Sequence, residues 1–244
     1  MRAIVKWPVL KAQAILFLLL SIGSTAQTRH DLRLGRELSV GGIGLASFSL
    51  GRFVVKEKPL DTLMLFDRSE IPRIDRIALD RWSIPAHRTS DVVMTSTIAA
   101  SLVIPLIVQQ GEEPMVPVTI VLESLLLTSG ITSIAKHSIA RPRPYVYGMD
   151  VPLRERPENG NLVSFWSGHT STASSVTFAC ASLVHRSNAT GELKTATWIG
   201  AAALPLAVGF YRIKAGRHFP TDVLAGYAFG ALLGWAVPYF HRAE

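Results

Sequence analysis

The chain of 244 residues has little charge and almost no cysteine, and both shortages restrict its class. Charged residues make up 18% of the sequence and hydrophobic residues 48%, and the hydrophobic residues are gathered in long runs. This pattern is typical of membrane-spanning segments. The single cysteine, Cys180, excludes an intrachain disulfide and a zinc site built from several cysteines.

Acidic residues are in the minority, which gives a formal net charge of +7. A basic protein can bind nucleic acid, but no Lys/Arg run in this chain is interleaved with stacking aromatic residues. No nucleic-acid partner is therefore expected. Several of the cations gather in two short loops, which favours an anionic small group or an anionic lipid as the partner. The sequence carries no signature of oligomeric state.

Residues 1–28 have the pattern of a signal peptide. Three basic residues precede an uncharged run from Ala12, and small residues favour cleavage after Ala26. The competing interpretation is an uncleaved signal anchor that forms the first membrane helix. Both interpretations place residue 30 outside the cytoplasm.

Residues 29–90 are predicted to be an extramembrane or interfacial segment, because charges of both signs alternate there with prolines. Leu38–Gly51 is an uncharged run that is short for a membrane span, so an interfacial or packed segment is favoured. If this run does cross the membrane, every later segment changes sides.

Residues 91–244 are predicted to form a catalytic helical-bundle domain. Long uncharged runs suggest crossings, and they are Val92–Gly111, Val116–Ala135, Ser171–Val184, Thr195–Phe210 and Val223–Phe240. The expected fold is all-α, a polytopic membrane bundle of about five to six spanning helices with its active site at one membrane face. Glu123 lies within one run and is either functional or paired with a neighbouring helix.

The last run carries Gly226, Gly230 and Gly234, a repeated face of small residues that allows another helix to approach closely. If residue 30 is outside and Leu38–Gly51 does not cross, the loops at 136–168 and 212–218 face the periplasm or exterior. The basic residues around 185–194 then lie inside, which agrees with the positive-inside tendency.

Lys136, Arg141 and Arg143 follow directly after an apolar helix. A planar arginine fork suits phosphate oxygens, and lysine adds a mobile charge. Such cations can also simply anchor a helix at lipid headgroups. Pro142 and Pro144 favour a binding role, because they stiffen the chain and fix the arginine direction.

Ser167, Gly168 and His169 precede the next apolar run. Ser167 suits a helix N-cap, and Gly168 lets the backbone approach a ligand. Backbone N–H groups at such a helix start form an anion site, which His169 would face.

Arg212, His218 and Asp222 lie between the last two runs. Pro220 suits the first turn of a helix, so Asp222 is expected to reach back to the His218 imidazole. A carboxylate that holds one ring nitrogen leaves the other basic, which activates a histidine nucleophile.

The three clusters read K-x6-R-P, S-G-H and R-x5-H-x3-D. In this order they resemble the signature of the phosphatidic acid phosphatase type 2 superfamily, over roughly residues 90–240. That group includes membrane lipid phosphatases, soluble bacterial acid phosphatases and vanadium haloperoxidases. Trp166 stands where the family has Pro, and Tyr211 stands where it has Ser. Arg143 matches the arginine of the first block, with Arg141 as the reserve.

The resemblance implies a phosphatase that works through a phosphohistidine. His218 would be the nucleophile, Asp222 would stabilise its imidazolium form, and His169 would be the acid and base. The implied phosphate-binding residues are Lys136, Arg143, Ser167, Gly168 and Arg212. No metal or other cofactor is expected, because the cations offset the developing charge.

The expected substrate is a phosphomonoester or pyrophosphate of a membrane lipid, and the expected location is a bacterial inner membrane with the site facing the periplasm or exterior. The alternatives are a soluble, exported (periplasmic) acid phosphatase of the same fold and a non-catalytic membrane protein that binds or transports phosphate.

Overall fold

A computed structural model describes residues 30–51, 67–109, 113–148 and 162–243, and this part of the chain is all-helical. The signal-peptide prediction for residues 1–28 lies outside the described residues. The α-helices are α1 (Leu34–Ser49), α2 (Ile84–Val108), α3 (Met115–Ile139), α4 (Gly168–Arg186), α5 (Gly191–Lys214) and α6 (Pro220–Phe240). Short 3-10 helices occupy Arg68–Glu70, Arg76–Ala78 and Pro144–Tyr147. The all-α bundle expected from the sequence is confirmed.

The helices begin where the sequence supplies caps. The side chains of Ser83, Ser167 and Thr190 accept hydrogen bonds from the first turns of α2, α4 and α5. Pro220 occupies the first turn of α6, where its missing N–H has no cost. Helix α3 ends at Ala140, whose φ of 50° stops the helix and redirects the chain toward Arg143.

Four helical segments are long and apolar enough to cross a membrane, and they are Ile84–Val108, Met115–Val146, Gly191–Lys214 and Pro220–Phe240. Helix α4 differs from them because it is rich in Ser and Thr and most of its side chains are buried. It packs against α2, α3, α5 and α6. Protein rather than lipid therefore surrounds α4, and its hydroxyl groups find partners inside the bundle, as between Thr128 and Ser175 at 2.9 Å.

Helices α4 and α6 approach through the glycine face of α6. A Cβ added to Gly226 would lie 2.6 Å from the Ser167 carbonyl oxygen, and one on Gly230 would come even closer to that of Ser171. The small-residue face expected from the sequence is therefore confirmed as a contact between helices.

Helix α1 runs beside α3, with Glu37 near Glu123 and Gly51 near Ser133. At its start the Asp31 N–H donates to the His241 carbonyl oxygen at 3.0 Å, beyond the end of α6. At its other end a Cβ on Gly51 would lie 2.5 Å from Ser133 Oγ, one turn before Lys136. Residue 30 therefore lies at the opposite end of the bundle from Lys136, whereas the helix count placed both on one side. The reason is that α1, although short, packs as a member of the bundle.

Replacing Gly230 by alanine is expected to lower the melting temperature. The added methyl group meets the Ser171 backbone, which cannot move aside as a side chain can, and overpacking of this kind costs about 1–3 kcal/mol. Thermal unfolding in detergent measures the effect.

The matched control is Gly200→Ala in α5, where the nearest atom to an added Cβ is the Leu204 Cδ1 at 3.9 Å. Alanine favours a helix over glycine by about 1 kcal/mol, so this variant should be as stable as the wild type or more so. Equal melting temperatures for the two variants would contradict close packing of α4 on α6.

Candidate active site

The three sequence clusters meet at one end of the bundle. Lys136, near the end of α3, donates from Nζ to the Val163 carbonyl oxygen at 2.8 Å. A Cβ on Gly168 would lie 3.3 Å from Lys136 Cε, so the first cluster adjoins the start of α4. The Ser167 N–H donates to the Asp222 carbonyl oxygen at 3.0 Å, which joins the second cluster to the third.

His218 lies in the loop between α5 and α6 and is almost fully buried, at 1% exposure. Its Nδ1 donates to the Ser164 carbonyl oxygen at 2.8 Å, which leaves Nε2 as the basic nitrogen. Burial lowers its pKa well below the ordinary value, and the positive charges of Lys136, Arg143 and Arg212 lower it further. The imidazole is therefore neutral at neutral pH, as a nucleophile must be.

Asp222 does not hold the imidazole as the sequence spacing suggested, because its Oδ2 lies 3.7 Å from His218 Nδ1. This oxygen instead accepts from Ser164 Oγ at 2.6 Å and from the Phe219 N–H at 2.8 Å. Ser164 also supplies the carbonyl that holds His218. Asp222 thus positions the imidazole through Ser164, while it caps the first turn of α6.

The two arginines of the first cluster have different environments. Arg141 donates to Asp222 at 2.5 Å and to Asp75 at 2.7 Å, and its guanidinium lies 4.3 Å from the centre of the Phe219 ring. Arg143 lies at the start of the Pro144–Tyr147 helix, and its charge reaches His218. The geometry therefore favours Arg143 over Arg141 as the phosphate ligand, because Arg141 is engaged in a buried ion pair.

His169 is positioned by a carboxylate that the sequence analysis assigned no role. Its Nε2 lies 2.7 Å from Asp91 Oδ1, in the second turn of α2. The predicted crossing began at Val92, directly after Asp91, whereas α2 begins at Ile84 and presents its first two turns to the site. The position of Asp91, an isolated carboxylate at the edge of an apolar run, was the one feature of the sequence that could have indicated this role.

Arg212 is the third cation of the site and is 3% exposed. Its Nη1 lies 2.7 Å from His87 Nδ1 and 3.3 Å from Ser90 Oγ, and Asp91 Oδ1 is 3.7 Å away. These three α2 residues share one helix face by their spacing. Arg212 Nε has no hydrogen-bond partner among the described residues, so this donor remains for a ligand.

The start of α4 offers backbone donors for an anion, although not all those expected. The Ser167 N–H is taken by Asp222, and the Thr170 N–H donates to Ser167 Oγ at 3.4 Å. The N–H groups of Gly168 and His169 have no acceptor within the described part of the chain. The helix dipole adds to their attraction for an oxyanion.

Trp166, which departs from the family pattern, forms part of the wall of the bundle. Its ring is stacked on Phe229 at 4.3 Å between centroids, and its Nε1 donates to Thr132 Oγ1 at 2.7 Å. It is 9% exposed, so it packs between α3 and α6 rather than shaping a pocket mouth. Tyr211, the other departure, packs edge-on against Phe210 in the last turns of α5.

The apolar helices bring His87, His169 and His218 together with several cations at one end, and this arrangement defines a polytopic helical bundle with a cationic cluster rich in histidine at that end. The family model described as the PAP2 superfamily matches residues 117–244, and the chain belongs to this superfamily. The resemblance found in the sequence clusters is confirmed.

Curated relatives share a single name. The chain is 32% identical over 110 residues to a lipid A 1-phosphatase of Rhizobium etli, which covers 43% of this chain and 40% of the relative. It is 32% identical over 106 residues to the lipid A 1-phosphatase of Rhizobium johnstonii, and this match covers 41% of the chain and 38% of the relative. It is 39% identical over 83 residues to the lipid A 1-phosphatase of Porphyromonas gingivalis, and this match covers 33% of the chain and 17% of the relative. The matches thus span less than half of each relative's length. No solved structure matches the chain.

Removing the charge of Lys136 is expected to raise the His218 pKa, because that charge is one cause of its lowering. A lowered pKa keeps the imidazole neutral until the pH falls through it. In Lys136→Met the acid limb of the kcat/KM profile should therefore move to higher pH, on top of an overall loss of rate. The measurement is phosphate release from a lipid phosphate as a function of pH.

The control is Lys214→Met, which removes an exposed cation from the end of α5. Its acid limb should match that of the wild type. If the limb also stays in place in Lys136→Met, His218 is not the group that titrates.

Proposed function

We propose that the chain is a membrane lipid phosphatase that hydrolyses a phosphomonoester or pyrophosphate of a lipid through a phosphohistidine. The observation that carries this proposal is the pair of histidines with separately held ring nitrogens. His218 is held at Nδ1 by Ser164, and His169 is held at Nε2 by Asp91. Each histidine keeps one nitrogen for chemistry, and the cations lie around them.

In the first step His218 Nε2 attacks phosphorus in line with the bond to the leaving oxygen. The P–N bond forms as the P–O bond breaks, and His169 gives its Nδ1 proton to the departing oxygen. Burial and the charge of Arg212 lower the pKa of His169 to about 4, and Asp91 supports this step because its carboxylate offsets part of that lowering and favours the protonated ring. Asp222 and Ser164 keep the His218 ring in place.

In the second step His169 Nδ1 takes a proton from water, which attacks the phosphohistidine. The P–N bond breaks, inorganic phosphate leaves, and both imidazoles return to their starting states. The phosphoryl oxygens are bound by Lys136, Arg143 and Arg212 and by the N–H groups at the start of α4. These fixed positive charges offset the charge of the transition state, so the proposed reaction is metal-independent.

A membrane lipid fits the position of the site. The four candidate spans expose large apolar side chains, such as Val103, Phe210 and Trp235, along the outside of the bundle. Lys136, Arg212 and His218 lie at or next to the ends of these helices. A lipid phosphate held at the membrane surface reaches such a site by sideways movement. The exposed apolar flanks favour this reading over a soluble, exported acid phosphatase.

The names of the relatives make a phosphate ester of lipid A the first substrate to test. We expect the residues that select among lipid headgroups to lie within residues 145–165, and much of this range is outside the described residues. Phosphatidate, phosphatidylglycerophosphate and isoprenyl pyrophosphate are therefore the comparison substrates.

We also propose a bacterial inner membrane location with the site facing the periplasm or exterior. The opposite end of the bundle carries Arg186, Lys194 and Arg242, as the positive-inside tendency requires. Because residue 30 lies at that same end, this orientation requires residue 30 to be cytoplasmic, contrary to both the signal-peptide and the signal-anchor interpretation. The C-terminus lies at the end opposite the site, so it should be cytoplasmic. An alkaline phosphatase fused there should be inactive, and a fluorescent protein fused there should be bright. The reverse result would place the site in the cytoplasm.

His218→Ala should reduce phosphate release from the preferred lipid to background, because no other nucleophile replaces the imidazole. His169→Ala should lower kcat by about 10²–10⁴, the usual contribution of an acid–base group. The assay is inorganic phosphate release by purified protein in detergent against the lipid panel.

His137→Ala is the matched histidine control, because His137 Nδ1 bonds the Ser133 carbonyl oxygen of its own helix and His137 has no role in the proposed reaction. It should keep wild-type turnover. Unchanged release in His218→Ala would remove the phosphohistidine mechanism, and no release by the wild type from any lipid would favour a phosphate-binding or transport role.

Vanadate should inhibit turnover strongly, because it mimics the five-coordinate phosphorus that the cations stabilise. A chelator should leave turnover unchanged at temperatures well below unfolding. Reversible loss of turnover on chelation would contradict metal independence. Initial rates at fixed substrate, with and without each reagent, provide the measurement.

A further inference from the structure

A second polar cluster lies at the end of the bundle opposite the candidate active site. It consists of Glu37 in α1, Glu123 in α3 and His241 just after α6. Helix α6 has 21 residues, so this cluster is about 30 Å from the start of α6, where Asp222 lies. Nothing in the proposed reaction uses it.

Three ligand atoms of this cluster point at one another. His241 Nδ1 lies 2.8 Å from the Val237 carbonyl oxygen, which can only accept, so Nδ1 carries a hydrogen. The remaining nitrogen, Nε2, lies 2.9 Å from Glu37 Oε2 and 3.0 Å from Glu123 Oε2. At these distances either a proton on Nε2 or a cation among the three atoms must offset the repulsion between the nitrogen lone pair and the carboxylate oxygens.

The environment of Glu123 is a second observation that favours a bound cation. The residue is 7% exposed, and its Oε2 has no hydrogen-bond partner although it faces His241 Nε2. An unpartnered carboxylate oxygen inside an apolar bundle is costly, and a cation removes that cost. His30 is fully buried nearby, and neither of its ring nitrogens bonds to a described residue.

The outer partners of the cluster match those of a built metal site. Glu37 Oε1 accepts from the Arg33 N–H at 2.9 Å and from Arg36 Nε at 3.1 Å, which fixes the carboxylate and leaves Oε2 facing inward. Histidine ligands of metals commonly donate their other ring N–H to a backbone carbonyl, as His241 does to Val237. A metal about 2.0–2.2 Å from each ligand atom fits between atoms this close.

We propose that Glu37, Glu123 and His241 bind one divalent transition-metal ion, Zn²⁺ by the ligand types, which clamps α1 to α3 and to the end of α6. Imidazole nitrogen with two carboxylates suits zinc better than the all-oxygen shells of calcium or magnesium. The ion has a structural role and is independent of the phosphatase mechanism.

The competing arrangement contains no metal, with protons shared among the two carboxylates and the imidazole. The two arrangements differ in the effect of Glu123→Gln. Without metal, the amide removes a buried charge and leaves the protein at least as stable as the wild type. With Zn²⁺ bound, the same change removes a ligand and lowers the melting temperature below that of the wild type.

The test uses the full chain, purified in detergent without a polyhistidine tag and depleted of metal by a chelator. Zn²⁺ is titrated by calorimetry, bound zinc is counted by elemental analysis, and melting temperatures are recorded with and without Zn²⁺. The wild type should bind about one Zn²⁺ per chain and melt at a higher temperature with it. The Glu123→Gln variant should bind Zn²⁺ at least about tenfold more weakly, and Zn²⁺ should not raise its melting temperature.

Glu192→Gln is the matched control, because Glu192 is exposed at the start of α5 at the same end of the bundle. It should keep the affinity and the rise in melting temperature of the wild type. Glu37→Gln serves as a second ligand variant if Glu123→Gln does not fold. Failure of the wild type to bind stoichiometric Zn²⁺, or equal affinity in the ligand variants, would overturn the proposal. Neither the zinc affinity nor the melting temperature depends on phosphatase activity, so this test is separate from that of the proposed function.

Discussion

The buried carboxylate of Asp222 is the group on which the arrangement of the site depends. It accepts from Ser164, from the Phe219 backbone and from Arg141, and its own carbonyl oxygen accepts from Ser167. Removing one partner of a buried ion pair usually lowers the stability of a protein by about 3–5 kcal/mol, so the loss of any one of these contacts would weaken the arrangement of the others. They fix the loop before α4 against the start of α6, and through it the His218 ring.

The bundle supports this loop by surrounding α4 with protein. The glycine face of α6 brings α4 within backbone contact, and its hydroxyl groups bond inside the bundle. Helix α4 can therefore be polar although its neighbours are apolar enough to cross a membrane. Its N-terminus is held in a fixed direction, which a binding site for a phosphoryl group needs.

Much of the fold and the site could be predicted from the chain itself. Long apolar runs predicted the bundle, and the spacing of Lys136, His169 and His218 predicted which helix ends carry polar groups. The partners of these residues could not be predicted. Asp91 holds His169 from 78 positions away, and Ser164 holds His218 from 54 positions away. Contacts at such separations leave no local pattern, because they depend on how helices pack.

Local spacing also misled where two partners compete. Asp222 stands four residues after His218, as a helical pair would, but the chain turns at Phe219 and the backbone carbonyl of Ser164 takes the ring nitrogen instead. By contrast, the prediction that Leu38–Gly51 is an interfacial or packed segment agrees with the close glycine contacts between α1 and α3.

Residue types and short-range spacing were enough to predict the helical bundle, the family and the identities of the polar groups, because all three depend on local sequence. The pairing of His169 with Asp91 and the meeting of Glu37, Glu123 and His241 became visible only in the folded chain. The physical reason is that helix direction and packing, rather than distance along the chain, bring such side chains within hydrogen-bonding reach.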